Sequence, residues 1–304
     1  MSENGKITAC RTDRRNALLG IGCTLLAASS PACASPAGAS LDLTALERRN
    51  GGRLGIAIFN SANGRRAVWR GSERFAYCST FKLFLAAATL QRVAAGKERL
   101  DRRIAIRKAD MLDHAPVTQN AVGATLPIIE LARAAVEHSD NPAANLLIRE
   151  FGGLDAWRNW YRGIGDRFTR VDRWELELNA VGPGDPRDTT SPLQTVANLQ
   201  RLFSARQLTP QHRDLLLKWL IDTPRGPNRI KAAVPHGSIV GHKIGTAGSR
   251  GHTNDIGLIW PRGAPARATV VAAYYNGSPL PTLEAREAVL AAAVRAALRA
   301  IGAA

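Results

Sequence analysis

The sequence predicts a mixed fold, α/β plus all-α: an antiparallel sheet from both ends of the chain, with a helical lobe inserted. Three observations predict it. Strand-like segments lie near residues 54–70 and again over 239–275, and the stretch between them is helical. The three late strand segments follow one another without intervening helices, as antiparallel neighbours do. The last segment, Leu283–Ile301, is an amphipathic helix suited to closing over such a sheet. The expected organisation is a leader over 1–39, an α/β domain from 40–70 and 225–304, and a helical domain over 71–224.

The leader has its own signature. Arg11, Arg14 and Arg15 precede the apolar run Ala17–Ala28, then small residues and prolines, with Ala-x-Ala sites ending at Ala34 and Ala39. A basic head, a short apolar run and small-residue cleavage sites make an export signal. Thr12-Asp13-Arg14-Arg15-Asn16-Ala17-Leu18 resembles a twin-arginine signal, so a periplasmic protein is expected, without stable membrane insertion once the signal is removed. Cleavage after Ala39 removes Cys10, Cys23 and Cys33 and leaves Cys78 as the one thiol. Such a chain has no internal disulfide and holds its fold by packing.

The elements beyond the leader each have a local cause. Leu41–Arg49 begins as a short helix. Leu54–Phe59 is a strand of mostly branched apolar residues, Ser61-Ala62-Asn63-Gly64 a hairpin turn, and Arg65–Arg70 the return strand. Ser79 to about Ala95 reads as a helix apolar nearly all round, therefore buried, and stopped by Gly96. Helices follow over Pro127–Glu137, Pro142–Glu150, Pro192–Ser204 and Pro210–Ile221, with Ser191 and Thr209 as caps before prolines. Ile239–Thr246, Asp255–Trp260 and Ala268–Tyr275 are strands separated by Gly/Pro turns.

Composition narrows the function. With 45% hydrophobic and 22% charged residues, 27 Gly and 16 Pro, the chain is not collagen, a coiled coil or a disordered protein. Beyond the first 40 residues no apolar run reaches spanning length, which excludes a polytopic membrane protein. The net charge of +16 admits an anionic partner. No basic stripe with interleaved aromatics accompanies it, so nucleic acid is not expected.

Four motifs can carry chemistry. In Ser79-Thr80-Phe81-Lys82, residues three apart share a helix face, so Ser79 Oγ and Lys82 Nζ can meet. The Ser79 N–H at the positive helix end favours developing negative charge. Burial favours neutral Lys82 and nearby carboxylates the charged form, which leaves the direction of its pKa shift open. Alone, the motif says almost nothing, because both residue types are common and a snorkelling lysine is its ordinary reading. Ser139-Asp140-Asn141 ahead of Pro142 is by itself an ordinary cap. Functionally, Ser139 can relay a proton and Asn141 can present an amide to a substrate carbonyl, while Asp140 holds the turn.

The stretch Arg173–Asp188 is a long loop rich in Gly, Pro and charge, the kind that carries function. Arg173 and Asp188 are expected to close its neck as a bidentate pair. Glu175 and Asn179, four apart, can hold one water, which describes a hydrolytic base; Glu177 points elsewhere. In Gly241–Gly248, Gly245 allows a ligand close to the backbone. Lys243 and Ile244 face opposite sides, Thr246 shares the side of Ile244, and its backbone N–H is a second oxyanion donor beside that of Ser79.

In this order, these residues resemble the class A serine β-lactamases and, more distantly, the penicillin-binding transpeptidases, enzymes generally known by Ser-x-x-Lys, Ser-Asp-Asn and Lys-Thr-Gly motifs. The resemblance covers residues 41–302. It implies a helical lobe beside a five-stranded antiparallel sheet with helices on its other face. Ser79 becomes the nucleophile that opens the β-lactam amide, activated by Lys82 or by Glu175 through water. Glu175 with Asn179 directs water onto the acyl-enzyme. Ser139 and Lys243 become proton relay and electrostatic anchor, and Asn141 meets the substrate's amide carbonyl. Asn145 braces the Glu175 loop, and Arg229 binds the substrate carboxylate beside Thr246. A small-molecule β-lactam is the implied partner, with no metal or other cofactor, and the enzyme is expected to be a monomer. The alternatives are a D,D-peptidase-like acyl transferase and a non-catalytic β-lactam receptor, neither of which needs Glu175 with Asn179.

Two departures from the family pattern matter. Ile244 stands where the family carries Thr or Ser, whose hydroxyl bonds the substrate carboxylate. A hydrogen bond to a charged group is worth roughly 1.5–3 kcal/mol, so a weakened carboxylate subsite is expected, with Thr246 as partial replacement. Cys78 beside the nucleophile resembles carbapenem-hydrolysing members. Ala247 stands where those enzymes carry the partner cysteine, so that disulfide cannot form.

Overall fold

Strand β1 (Arg53–Asn60) shows why the centre of the molecule is a sheet covered on both faces. Its residues Leu54 to Ile58 are all buried, where a half-exposed strand would alternate. Leu54, Ile56 and Ile58 face one apolar core and Ala57 the other, as the two-residue period of a strand requires. The structure, a computed structural model, describes residues 39–204, 207–261 and 268–303. Apart from Ala39, the leader lies outside them.

At Ser61–Gly64 the chain turns as expected, Gly64 taking a φ of 69° and donating its N–H to Asn60 O at 2.9 Å. It returns as β2 (Arg66–Trp69). The late strands are β3 (Ile239–Ala247), β4 (His252–Trp260) and β5 (Thr269–Asn276). All five form one antiparallel sheet in the order β2-β1-β5-β4-β3. The two ends of the chain therefore meet at its centre, where Arg53 to Asn60 pairs with Asn276 to Thr269.

One face of the sheet is covered by the C-terminal helix, whose Leu290, Ala293, Val294 and Ala297 pack on Ile56, Val271 and Tyr275. On the other face lies the helical part of the chain. The short helix expected near Leu41–Arg49 is α1 (Thr44–Asn50), ahead of β1; the centre of the helical part is α2 (Phe81–Ala94), in which ten successive residues, Phe81 to Leu90, are buried. The helix is the buried one expected, but its start differs. Cys78–Thr80 forms a single 3₁₀ turn, and the α-helix begins at Phe81. Helix α3 (Ile128–Arg133) runs into a π-helical turn over Ala134–His138. Helix α4 (Asn141–Phe151) follows, and then α5 (Gly153–Gly163), which the sequence reading missed. Helices α6 (Pro192–Ser204) and α7 (Pro210–Asp222) start at the expected caps: Ser191 Oγ accepts from Gln194 N–H at 3.2 Å and Thr209 Oγ1 from His212 N–H at 3.3 Å. Short α8 (Ile230–Ala233) precedes the late strands, and α9 (Leu283–Ala300) closes the fold. Among the described residues, no helix is long and apolar enough to cross a membrane.

Candidate active site

The segment leading into Ser79 is held by amides buried in the sheet. Asn276 Oδ1 accepts from Ala76 N–H (2.7 Å), Asn276 Nδ2 donates to Asn254 Oδ1 (2.8 Å), and Asn254 Nδ2 donates to Ala76 O (2.8 Å). Sequence reading missed both asparagines. Their signal was polar residues in strands that are otherwise apolar, a combination that burial tolerates only with partners. Gly245 on β3 completes the support. A Cβ there would sit 2.7 Å from Tyr77 O and 3.1 Å from Cys78 Cβ, so only glycine lets β3 press on the Ser79 turn. The close approach expected at Gly245 is thus made by the protein's own backbone. Cys78 is buried and free, with burial raising its thiol pKa, which makes it a packing residue.

Ser79 and Lys82 converge through a third group. Among the described residues, Ser79 Oγ makes no bond to Lys82 Nζ. Instead Glu175 Oε1 lies 3.3 Å from Ser79 Oγ and 2.9 Å from Lys82 Nζ. The ammonium also donates to Ser139 O (2.9 Å) and Asn141 Oδ1 (2.5 Å). Burial depresses the pKa of Lys82 and the Glu175 carboxylate opposes it; burial prevails, which settles the direction left open by sequence.

Glu175 is only 2% exposed, and the loop around it accounts for its placement. Leu178 N–H reaches Trp174 O at 2.9 Å, and a 3₁₀ turn over Glu177–Asn179 follows. That curl brings Asn179 Nδ2 to Glu175 Oε2 at 2.6 Å, while Glu177 faces solvent. Asn145 braces the loop from α4 with both ends of its amide, donating to Glu175 O (2.8 Å) and accepting from Glu175 N–H (3.1 Å). At the neck, the bidentate pair expected of Arg173 and Asp188 is a single bond, Arg173 Nε to Asp188 Oδ2 at 2.5 Å. The other oxygen, Oδ1, is taken by the N–H groups of Asp172 (2.8 Å) and Arg173 (3.1 Å) and by the Tyr77 hydroxyl (3.2 Å). Tyr77 thereby ties the Ser79 turn to the loop, a role that sequence reading did not find.

On the opposite side, Ser139 takes a left-handed φ of 60° between the π-helical turn and α4. Asp140 caps α4, accepting from Ala143 N–H at 2.9 Å and holding Thr118. Lys243 Nζ donates to Ser139 Oγ (3.1 Å) and to Ile244 O (3.0 Å). Burial, with Lys82 and Arg225 nearby, holds the Lys243 pKa well below the usual lysine value. Ser79, Ser139, Asn141, Asn179, Ile244 and Thr246 border one cleft of about 480 Å³, with His114 at its edge.

Arg229 requires a correction. It is 1% exposed and does not line this cleft. Its Nε donates to Glu287 Oε1 (2.8 Å), its Nη1 to Gly245 O (3.1 Å) and Asn254 O (2.8 Å), and its Nη2 to Thr246 Oγ1 (2.7 Å). With four of its five N–H donors bonded, the guanidinium holds β3 from behind the cleft wall and orients the Thr246 hydroxyl, which lines the cleft.

The site can be set against known proteins. A profile of the Beta-lactamase enzyme family matches residues 39–301. β-Lactamase CTX-M-25 of Escherichia coli is 41% identical over 283 residues, 93% of this chain and 96% of that protein. The solved structure of an ancestral (GNCA) class A β-lactamase is 48% identical, with a TM-score of 0.81 over 85% of this chain and 98% of that one. The chain belongs to the class A β-lactamases.

Further class A relatives agree. A β-lactamase structure from Xanthomonas campestris is 44% identical with a TM-score of 0.80, covering 85% of this chain and 95% of that one. The carbapenem-hydrolyzing β-lactamase KPC of Klebsiella oxytoca is 41% identical over 257 residues, 84% of this chain and 87% of that protein. The reaction of the class A β-lactamases is hydrolysis of a β-lactam amide through a serine acyl-enzyme. The peptidase and receptor readings find no support among these relatives.

Proposed function

We propose that Ser79 is the nucleophile of this β-lactamase and that Glu175 serves it twice. In acylation, Ser79 Oγ attacks the lactam carbonyl carbon and its proton passes into the Glu175–Lys82 pair. The carbonyl oxygen takes the backbone N–H groups of Ser79 and Thr246, both on the cleft wall, as its charge develops. Ser139 delivers a proton to the departing ring nitrogen, and Lys243, bonded to its hydroxyl, keeps the local field positive. Asn141 has an amide at the cleft to meet the substrate's side-chain carbonyl. In deacylation, Glu175 takes a proton from water as that water attacks the ester, and Asn179 aligns it; among the described residues, buried Asn179 Oδ1 has no partner.

The position of Glu175 Oε1, within hydrogen-bond range of both the serine hydroxyl and the lysine ammonium, carries this reading. Rapid acid quench during benzylpenicillin turnover, followed by peptide mass mapping, tests it. The expected result is a penicilloyl adduct on the peptide containing Ser79, alongside ring-opened product in large excess over enzyme. An adduct on another peptide would overturn the assignment.

A periplasmic address rests on the leader: paired Arg14-Arg15, an apolar run and small-residue sites. Fractionation of cells producing the full chain checks it, and a protein confined to the cytoplasm would refute it. A small β-lactam is the partner of this site, and the enzyme is assigned as a monomer; sedimentation giving a larger species would refute that assignment.

A further inference from the structure

Arg225 lies on the segment between α7 and α8, outside every motif, yet it lines the cleft. Among the described residues, its guanidinium has neither an acidic partner nor a hydrogen bond. Its charge depresses the pKa of Lys82, Lys243 and His114, which places it within electrostatic reach of all three. Its own pKa is lowered by the protein packed around it and by Arg229. Lys82 and Arg229 are offset by Glu175 and Glu287, whereas Arg225 has no such partner among the described residues, and an unpaired guanidinium on a cleft wall favours an anion brought in from outside.

The neighbouring residue shows where that anion would sit. Gly226 takes a φ of 68°, and a Cβ on it would collide with Ile244 Cγ2, so the turn carrying Arg225 packs directly on Ile244. The apolar side chain at 244 and the free guanidinium therefore form one stretch of wall. Arg229, 1% exposed and with four of its five N–H donors bonded inside the protein, does not line this wall.

We propose that Arg225 binds the carboxylate of the β-lactam directly and supplies the anchor that Ile244 cannot. The proposal rests on the β-lactamase reading above. A charge-assisted hydrogen bond from a planar guanidinium suits a carboxylate well.

The test compares benzylpenicillin with its methyl ester, in which the carboxylate charge is removed. Arg225→Gln should lower kcat/KM for the acid by about 10- to 100-fold and leave the ester within about two-fold. Arg225→Lys should recover part of the preference for the acid. So should Ile244→Thr in the Arg225→Gln background, by restoring a hydroxyl to the same wall. Arg250→Gln, which alters another arginine of the cleft rim, should leave the acid-to-ester ratio unchanged. Among the described residues the Arg225 side chain has no partner, so the melting temperature should not move. An equal loss for acid and ester, or an unchanged ratio, overturns the proposal. Failure of the wild-type enzyme to open any penicillin would instead count against the β-lactamase reading.

Discussion

Glu175→Ala is expected to trap the enzyme as a penicilloyl ester on Ser79. Intact mass followed over time after mixing with benzylpenicillin should show near-complete adduct that persists, while the wild type shows little adduct and accumulating product. General-base assistance is worth about 10²–10⁴-fold, so deacylation should slow by roughly 10³-fold. Acylation should survive, for a reason visible in the balance at Lys82. Its pKa is pulled down by burial and held up by the Glu175 carboxylate. Removing the carboxylate leaves burial opposed by Asp140 alone among the carboxylates, which shifts the lysine further toward the neutral amine that can accept the serine proton. A variant that stays unmodified would show that Glu175 is indispensable to acylation. Turnover at the wild-type rate would place the deacylating base elsewhere.

Lys82→Ala should fail one step earlier, with no adduct on the timescale on which the wild type acylates. The substitution strips the donor from Ser139 O, Asn141 Oδ1 and Glu175 Oε1 together. Breaking a buried ion pair from one side costs about 3–5 kcal/mol, and for a domain of this size each kcal/mol lowers Tm by roughly 2–4 °C. A fall on the order of 10 °C is therefore expected in a thermal melt. Single-turnover acylation, measured well below that melt, should be slower by about 10³-fold. Wild-type acylation by the folded variant would mean that Glu175 activates the serine without the lysine.

These outcomes depend on residues whose roles were unequally legible in the chain. Ser79 and Lys82 come together, but through Glu175 Oε1 and not by the direct contact that their spacing suggested; Asn179 reaches Glu175 across one turn, as four residues allow, and Asn145 was expected from the family resemblance alone. The strands and the buried helix α2 were legible because their apolar patterns are local. Helix α5 was not. Its entry through Gly152 and Gly153, both at positive φ, looks like a loop, and its helical face is fixed by packing of Trp157 and Tyr161. Contacts between distant segments were also hidden. Nothing near Gly245 announces that Tyr77 O lies against it, and nothing near Arg229 announces Glu287. At the loop neck, Asp188 could not pair with Arg173 through both oxygens because backbone N–H groups had claimed one of them. Arg225 went unnoticed because its significance lies in what it lacks, an acidic neighbour, and sequence does not display that.

The sheet order has a consequence for how the enzyme is born. Strand β1 finds its central partner in β5, and the amides that steady the approach to Ser79 come from β4 and β5. A nascent chain still on the ribosome can carry the reactive serine and its lysine but not the surfaces that aim them. Hydrolytic power therefore arrives all at once, when the final strands dock, and a premature stop before them yields a product without an assembled β-lactamase site.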